Sequence, residues 1–95
     1  MRVPALRVEW QDDVDRRTVW AAGEVDIATL EELRRALDCD QPLLEVDLTD
    51  VTFIDLAGLQ CLAEAAERHQ LALRTSSRVD RVIELTATGY LFDRQ

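Results

Sequence analysis

The chain has 95 residues, of which 47% are hydrophobic and 32% charged, a balance typical of one small globular domain. The formal net charge is -8. A field of that sign repels nucleic acid and anionic lipid and favours a protein partner with a basic face, although it also serves solubility alone.

Targeting segments and metal motifs are not found in the sequence. No window approaches the length of a membrane span, and the first residues lack the apolar core of a signal peptide, so we expect a cytoplasmic protein without direct membrane contact. Cys39 and Cys61 follow no metal-binding spacing and are expected to be reduced and mostly buried. His69 falls at the end of a helical pattern, where it is expected to terminate the helix. We therefore predict no metal and no cofactor.

The N-terminal third of the chain has the pattern of a β-hairpin. Residues 5–11 alternate in character, and residues 18–22 are β-branched and aromatic, which predicts two antiparallel strands. Gly23 is expected to end the second strand. Trp10 and Trp20 fall on these adjacent strands, where packing on the sheet is expected and stacking on a ligand is the alternative.

A first helix is predicted from Asp26, which is placed to cap it. Its outer face offers Glu31 and Arg35 as a favourable pair one turn apart. The face expected to be buried comprises Ile27, Leu30, Leu33 and Leu37.

The second half of the chain alternates strands and helices. Residues 43–48 predict a central strand, Asp55 the start of a second helix, and residues 71–74 another strand. Ser77 is expected to cap a third helix that ends near Gly89. The predicted buried residues of these helices are Leu59, Leu62, Ala63, Ala66, Val79, Val82 and Ile83, and Leu91 and Phe92 are expected to form an edge strand.

This element order predicts an α/β fold with a mixed sheet of four to five strands. Strand–helix–strand units need crossover connections, so the later strands should be parallel and the first hairpin antiparallel. We expect the helices to pack mainly on one side, because so short a chain supplies too few helices to cover both. The other side should expose apolar surface that binds a partner or a second copy of the chain.

Two stretches resemble the signatures of the STAS domain family, the bacterial anti-sigma factor antagonists and their relatives. Residues 23–37, G-E-V-D-I-A-T-L-E-E-L-R-R-A-L, look like the first signature, and residues 46–59, V-D-L-T-D-V-T-F-I-D-L-A-G-L, are similar to the second. The resemblance covers roughly residues 5–93, which makes residues 1–95 a single STAS-like domain. The chain stops where many members add a last helix.

The resemblance implies partner switching in transcription regulation. In the family's antagonists, a hydroxyl in an acidic-x-x-glycine turn is phosphorylated by an anti-sigma factor that is also a serine kinase, and the phosphate breaks the contact between them. The two hydroxyl positions correspond here to Leu56 and Ala57, which cannot accept a phosphoryl group. Thr49 and Thr52 are the nearby hydroxyls, and neither occupies the turn. We therefore expect a docking surface without the phosphorylation switch.

The residues expected at this docking surface are Asp26, Asp55, Leu56, Ala57, Gly58 and Leu59. For Asp55 the alternative is a helix cap alone, and for Gly58 it is closer packing of the helix. Leu56 either points outward as an apolar contact or packs into the core, which we expect.

The predicted function is therefore a noncatalytic regulator that docks on an anti-sigma factor or a serine kinase. The alternative is a cytosolic STAS subunit or scaffold of an ABC lipid-transport or stress-signalling assembly. An enzyme is not expected. Asp26 and Asp55 could act as paired carboxylates, but no nucleophile or further base accompanies them.

Overall fold

The computed structural model describes residues 6–85, which form four strands and three helices. In chain order they are β1 (Leu6–Asp12), β2 (Arg16–Val25), α1 (Leu30–Leu37), β3 (Leu43–Ile54), α2 (Leu56–Arg68), β4 (Gln70–Thr75) and α3 (Ser77–Leu85). The order matches the predicted one. The helix end at Gly89 and the edge strand at Leu91 and Phe92 lie outside the described residues.

The strands form one mixed sheet in the order β1-β2-β3-β4. β1 runs antiparallel to β2, whereas β2 and β3, and β3 and β4, are parallel. The parallel pairs are joined through α1 and α2, because a parallel connection has to cross over the sheet. The predicted α/β class and mixed sheet are confirmed, with four strands.

All three helices cover the same face of this sheet. Alternate residues of β2 and β3 point to that face and form one buried cluster with the apolar sides of the helices. The largest fully buried side chains are Val19, Val25, Leu33, Leu37, Leu44, Val46, Leu48, Val51, Ile54, Leu59, Leu62 and Ile83. The prediction that the helices pack on one side is correct for the described part of the chain.

The opposite face of the sheet is largely polar, not apolar as expected. Arg7, Glu9, Asp47 and Asp50 surround Trp20 there and line a shallow depression of about 310 Å³. Trp20 is 43% exposed, and its indole is the large apolar group in the lining of this depression. The charged side chains on this face are hydrated, so the face can remain exposed to solvent without a second layer of helices.

Arg17 fastens the hairpin to the end of α1. Its guanidinium donates from Nε and Nη2 to the two carboxylate oxygens of Asp12, at 2.7 and 2.9 Å, and from Nη1 to the carbonyl oxygen of Ala36 at 3.1 Å. It also lies 4.8 Å from the ring centre of Trp10, which therefore faces the helices while Trp20 faces away. The hydrogen bonds from Arg17 hold the pKa of Asp12 below its ordinary value.

β3 is longer than the predicted strand and contains two register shifts relative to β2. Trp20 pairs with Asp47 and Ala22 with Asp50, so β3 has one extra residue there, and a second shift follows Gly23. Gly23 does not end β2 as predicted. It adopts φ 114°, a conformation open to glycine, and the strand continues to Val25. The shifts return Ile54 to the buried face beside Val25.

The remaining helix ends follow local hydrogen bonding. His69 ends α2 as predicted: its backbone N–H donates to the carbonyl oxygen of Ala65, and its ring Nδ1 lies 2.8 Å from the carbonyl oxygen of Gln41. The cap of α3 is Ser76, one residue before the predicted Ser77, because its Oγ accepts the N–H of Val79 at 3.2 Å.

The ion pair predicted on α1 is replaced by a different arrangement. Arg34 lies 3.7 Å from Glu31 on α1 and 3.8 Å from Glu64 on α2, instead of Glu31 pairing with Arg35. Both contacts are exposed and contribute little to stability. Beneath them Cys61 is buried, and Cys39 is half-buried; both are free thiols, as expected.

Candidate functional site

The turns that follow β2 and β3 lie side by side. Val25 and Ile54 are partners in the parallel ladder, and the N–H of Asp55 donates to the carbonyl oxygen of Val25 at 3.1 Å. The two turns, residues 26–29 and 55–58, are called the double turn below. They bring the two sequence signatures into one surface at the carboxyl end of the sheet, where the helices begin.

Asp55 caps α2 as predicted. Its Oδ1 accepts the N–H of Gly58 at 2.9 Å, and the N–H of Leu59 donates to its carbonyl oxygen at 3.1 Å. A side-chain cap of this kind stabilises a helix by about 1 kcal/mol. The cap also fixes the backbone of residues 55–58, so the side chains on the first turn have defined directions.

Asp26 does not cap α1, contrary to the prediction. Its Oδ1 accepts the N–H groups of Ala28 and Thr29, at 2.9 and 3.2 Å, which closes a turn in place of a helix. Thr29 is 4% exposed, and its hydroxyl donates to the carbonyl oxygen of Glu24 at 2.8 Å. Short side chains that bond to nearby backbone compete with helix formation, so α1 begins at Leu30.

Gly58 and Leu59 support the site from beneath. Leu59 is 1% exposed and belongs to the core. A Cβ added to Gly58 would lie 2.8 Å from Cγ1 of Val25 and 2.8 Å from Cγ1 of Ile54. The close approach that this glycine permits is therefore between α2 and the paired strand ends. Both residues therefore lie at or next to the double turn, but neither offers an exposed side chain to a partner: Leu59 is buried and Gly58 has no side chain.

Leu56 points outward, and the expectation that it packs into the core is wrong. It is 52% exposed at the first position of α2, and Ala57 beside it is half-buried. Two further apolar residues are exposed at this end: Ile27, at 84%, which was wrongly predicted to be buried on α1, and Phe53, at 48%, for which no role was predicted. The available signal was their position, since each is adjacent to an aspartate or strand end already placed at the site.

The two threonine hydroxyls near the site lie on β3, and both form hydrogen bonds within the sheet. The hydroxyl of Thr49 donates to Oδ1 of Asp47 at 2.6 Å, and that bond holds the pKa of Asp47 below its ordinary value. The hydroxyl of Thr52 lies 3.3 Å from the carbonyl oxygen of Gly23. Both precede the turn of α2, so neither occupies the position of Leu56 or Ala57.

Within residues 6–85, no group of three or more histidine, cysteine, aspartate or glutamate side chains could hold a metal ion. No helix in the same range is long and apolar enough to span a membrane. The double turn presents two carboxylates fixed by backbone hydrogen bonds, together with exposed apolar side chains.

No family model matches the chain, and no curated protein matches its sequence. Solved structures do match its fold. An anti-sigma factor antagonist from Mycobacterium paratuberculosis superposes with a TM-score of 0.82 at 24% identity, over 96% of this chain and 86% of the other.

Two further structures have the same fold. The anti-sigma factor antagonist SpoIIAA in its unphosphorylated form gives a TM-score of 0.71 at 16% identity, over 96% of this chain and 88% of its own. A STAS domain antagonist from Rhodobacter sphaeroides gives 0.55 at 16% identity, over 82% and 89%. The chain thus has the fold of STAS-domain anti-sigma factor antagonists.

Proposed function

We propose that this protein is a noncatalytic cytoplasmic regulator that docks on an anti-sigma factor or a related serine kinase through the double turn. The observation that carries the proposal is Leu56, half-exposed on the capped first turn of α2. The shared fold supports the class of partner, because the structures it resembles are named anti-sigma factor antagonists. Asp26 and Asp55 flank this contact with fixed negative charge.

The proposed binding has no phosphorylation switch. Leu56 and Ala57 carry no hydroxyl, so a kinase that docks here finds no acceptor in the turn. A phosphate at a helix start inside an interface would have to lose its hydration or expel the partner. Without an acceptor in the turn, phosphorylation there cannot release the partner.

Calorimetric titration against purified anti-sigma factors of the source organism tests the docking. We expect saturable binding to at least one of them and loss of most of its affinity in Leu56→Asp, which places a charge in the contact. Val14→Asp is the matched control, since Val14 is fully exposed in the hairpin turn at the far end of β2. Binding to none of these factors, or equal loss in both variants, would contradict the proposal.

Incubation with the bound kinase and ATP tests the absence of the switch. Intact-mass measurement should show no phosphoryl group on the wild-type protein. The variants Leu56→Ser and Ala57→Ser, which place a hydroxyl in the turn, should each gain one phosphoryl group. A phosphoryl group on wild-type protein would overturn this part of the proposal. Copurification with a transporter ATPase in place of an anti-sigma factor would instead favour the scaffold alternative.

A further inference from the structure

We infer that Ile27, Phe53 and Leu56 form one apolar patch, here called the turn patch, which binds an apolar cleft rimmed by arginine or lysine side chains on a partner protein. The inference rests on the proposed function and deepens it, because it states the chemistry that the partner must present. It also extends the contact beyond the turn that contains Leu56.

The three residues of the turn patch belong to backbone segments that meet at one pair of the ladder. Val25 and Ile54 are partners in the ladder, and every residue of the patch is within two positions of one of them. Ile27 follows Val25 by two positions, Phe53 precedes Ile54, and Leu56 follows Ile54 by two.

Each of these side chains is held in solvent by a local constraint. The turn closed by Asp26 keeps Ile27 out of α1. The capped start of α2 fixes Leu56, and the second register shift leaves Phe53 exposed beside buried Ile54. Contiguous apolar groups held outside a core mark interaction sites more often than scattered ones do.

The surroundings of the turn patch are acidic. The segments 24–33 and 53–60 contain five acidic residues and no basic residue, in a chain that has 11 basic residues in all. Within residues 6–85, neither Asp26 nor Asp55 is in salt-bridge contact with an arginine. Charge complementarity therefore selects a partner with cationic side chains around its cleft.

The same charges disfavour a second copy of the chain as the occupant. A symmetric contact through the turn patch would place Asp26 and Asp55 of one copy against the same residues of the other. Like charges brought together in an interface cost several kcal/mol. The structure therefore favours a different protein with basic side chains.

Nuclear magnetic resonance with a synthetic probe tests the inference without any natural partner. The probe is a peptide with a leucine–phenylalanine centre and arginines at both ends, and two control peptides replace either its arginines by glutamate or its apolar centre by serine. With the first peptide we expect amide shift changes confined to segments 24–30 and 52–58. Affinity should fall about tenfold or more with either control peptide and should also weaken with salt.

Variants of the protein separate the turn patch from general acidity. Ile27→Ser and Leu56→Ser should each weaken binding of the first peptide several-fold, while Val14→Ser, at the opposite end of β2, should leave it unchanged. Shift changes spread over all acidic surfaces, or equal binding by every variant, would overturn the inference. So would a concentration-dependent dimer that Leu56→Ser dissociates, because the occupant would then be a second copy.

The two proposals fail separately. If an anti-sigma factor binds tightly and its affinity is unchanged by Ile27→Ser, the proposed function stands and the role of the turn patch is refuted. Specific peptide binding without any bound anti-sigma factor would retain the turn patch and refute the named partner.

Discussion

Substituting Gly58 by alanine should destabilise the protein, although alanine is the better helix former. Gly58 lies in the first turn of α2 and faces the paired strand ends. An added Cβ would be 2.8 Å from Cγ1 of Val25 and 2.8 Å from Cγ1 of Ile54. Both neighbours are fully buried β-branched side chains with few alternative rotamers, so the helix itself has to shift.

The expected magnitude is the difference between two opposing effects. Helix propensity favours alanine by about 1 kcal/mol, whereas overpacking a core costs about 1–3 kcal/mol. Two simultaneous contacts this short place the packing cost near the upper limit. The free energy of unfolding should therefore fall by about 2 kcal/mol, which lowers the melting temperature of a domain this small by roughly 10 °C.

Urea unfolding followed by circular dichroism measures this loss. The matched background is Val25→Ala, which removes one of the two contacted methyl groups, so Gly58→Ala should cost less there than in the wild-type protein. Gly58→Ala protein that is as stable as wild type, or more stable, would refute the packing argument. It would restore the idea that the glycine serves the approach of a partner.

Three further predictions concern Arg17, Asp12 and the thiols. Arg17→Met should lower the free energy of unfolding by about 1.5 kcal/mol in urea titration, chiefly because it removes the partly buried charged hydrogen bond to the carbonyl oxygen of Ala36, while the exposed Arg16→Met should cost under about 1 kcal/mol. Because the pKa of Asp12 is lowered in the folded state, the difference between wild type and Arg17→Met should persist above about pH 4 and shrink below it; an undiminished difference in acid would contradict this. Cys39 should react with a thiol reagent before Cys61, which is buried with a raised thiol pKa and should be protected until unfolding; equal rates would contradict the fold here.

The core of the fold was predictable where apolar residues follow a regular strand or helix period. Leu44, Val46 and Leu48 alternate in the sequence and are all buried in β3. The crossover rule then predicts that strands joined through a helix are parallel, whereas the order of the strands in the sheet was not predicted. The second half of β3 was missed because polar Thr49 and Asp50 interrupt the alternation at the register shift.

The start of α1 could not be predicted from periodicity. The residues from Asp26 onward match a helical face, and Ile27 fits the apolar side of that pattern. The structure instead forms a turn, because the Asp26 carboxylate and the Thr29 hydroxyl bond to nearby backbone groups at least as well as a helix would. A pattern of hydrophobic residues does not report such local competition, so Ile27 was assigned to the core.

The departures from prediction at the carboxyl end of the sheet have a common consequence. The turn at Asp26 exposes Ile27, the second register shift exposes Phe53, and the capped helix start exposes Leu56. Each exposure has a different local cause, but all three residues are within two positions of Val25 or Ile54 in the sequence. A fold selected for stability alone would gain by burying these side chains, about 1.5–3 kcal/mol for each. The proposed binding would recover this free energy, because a partner would bury the same side chains.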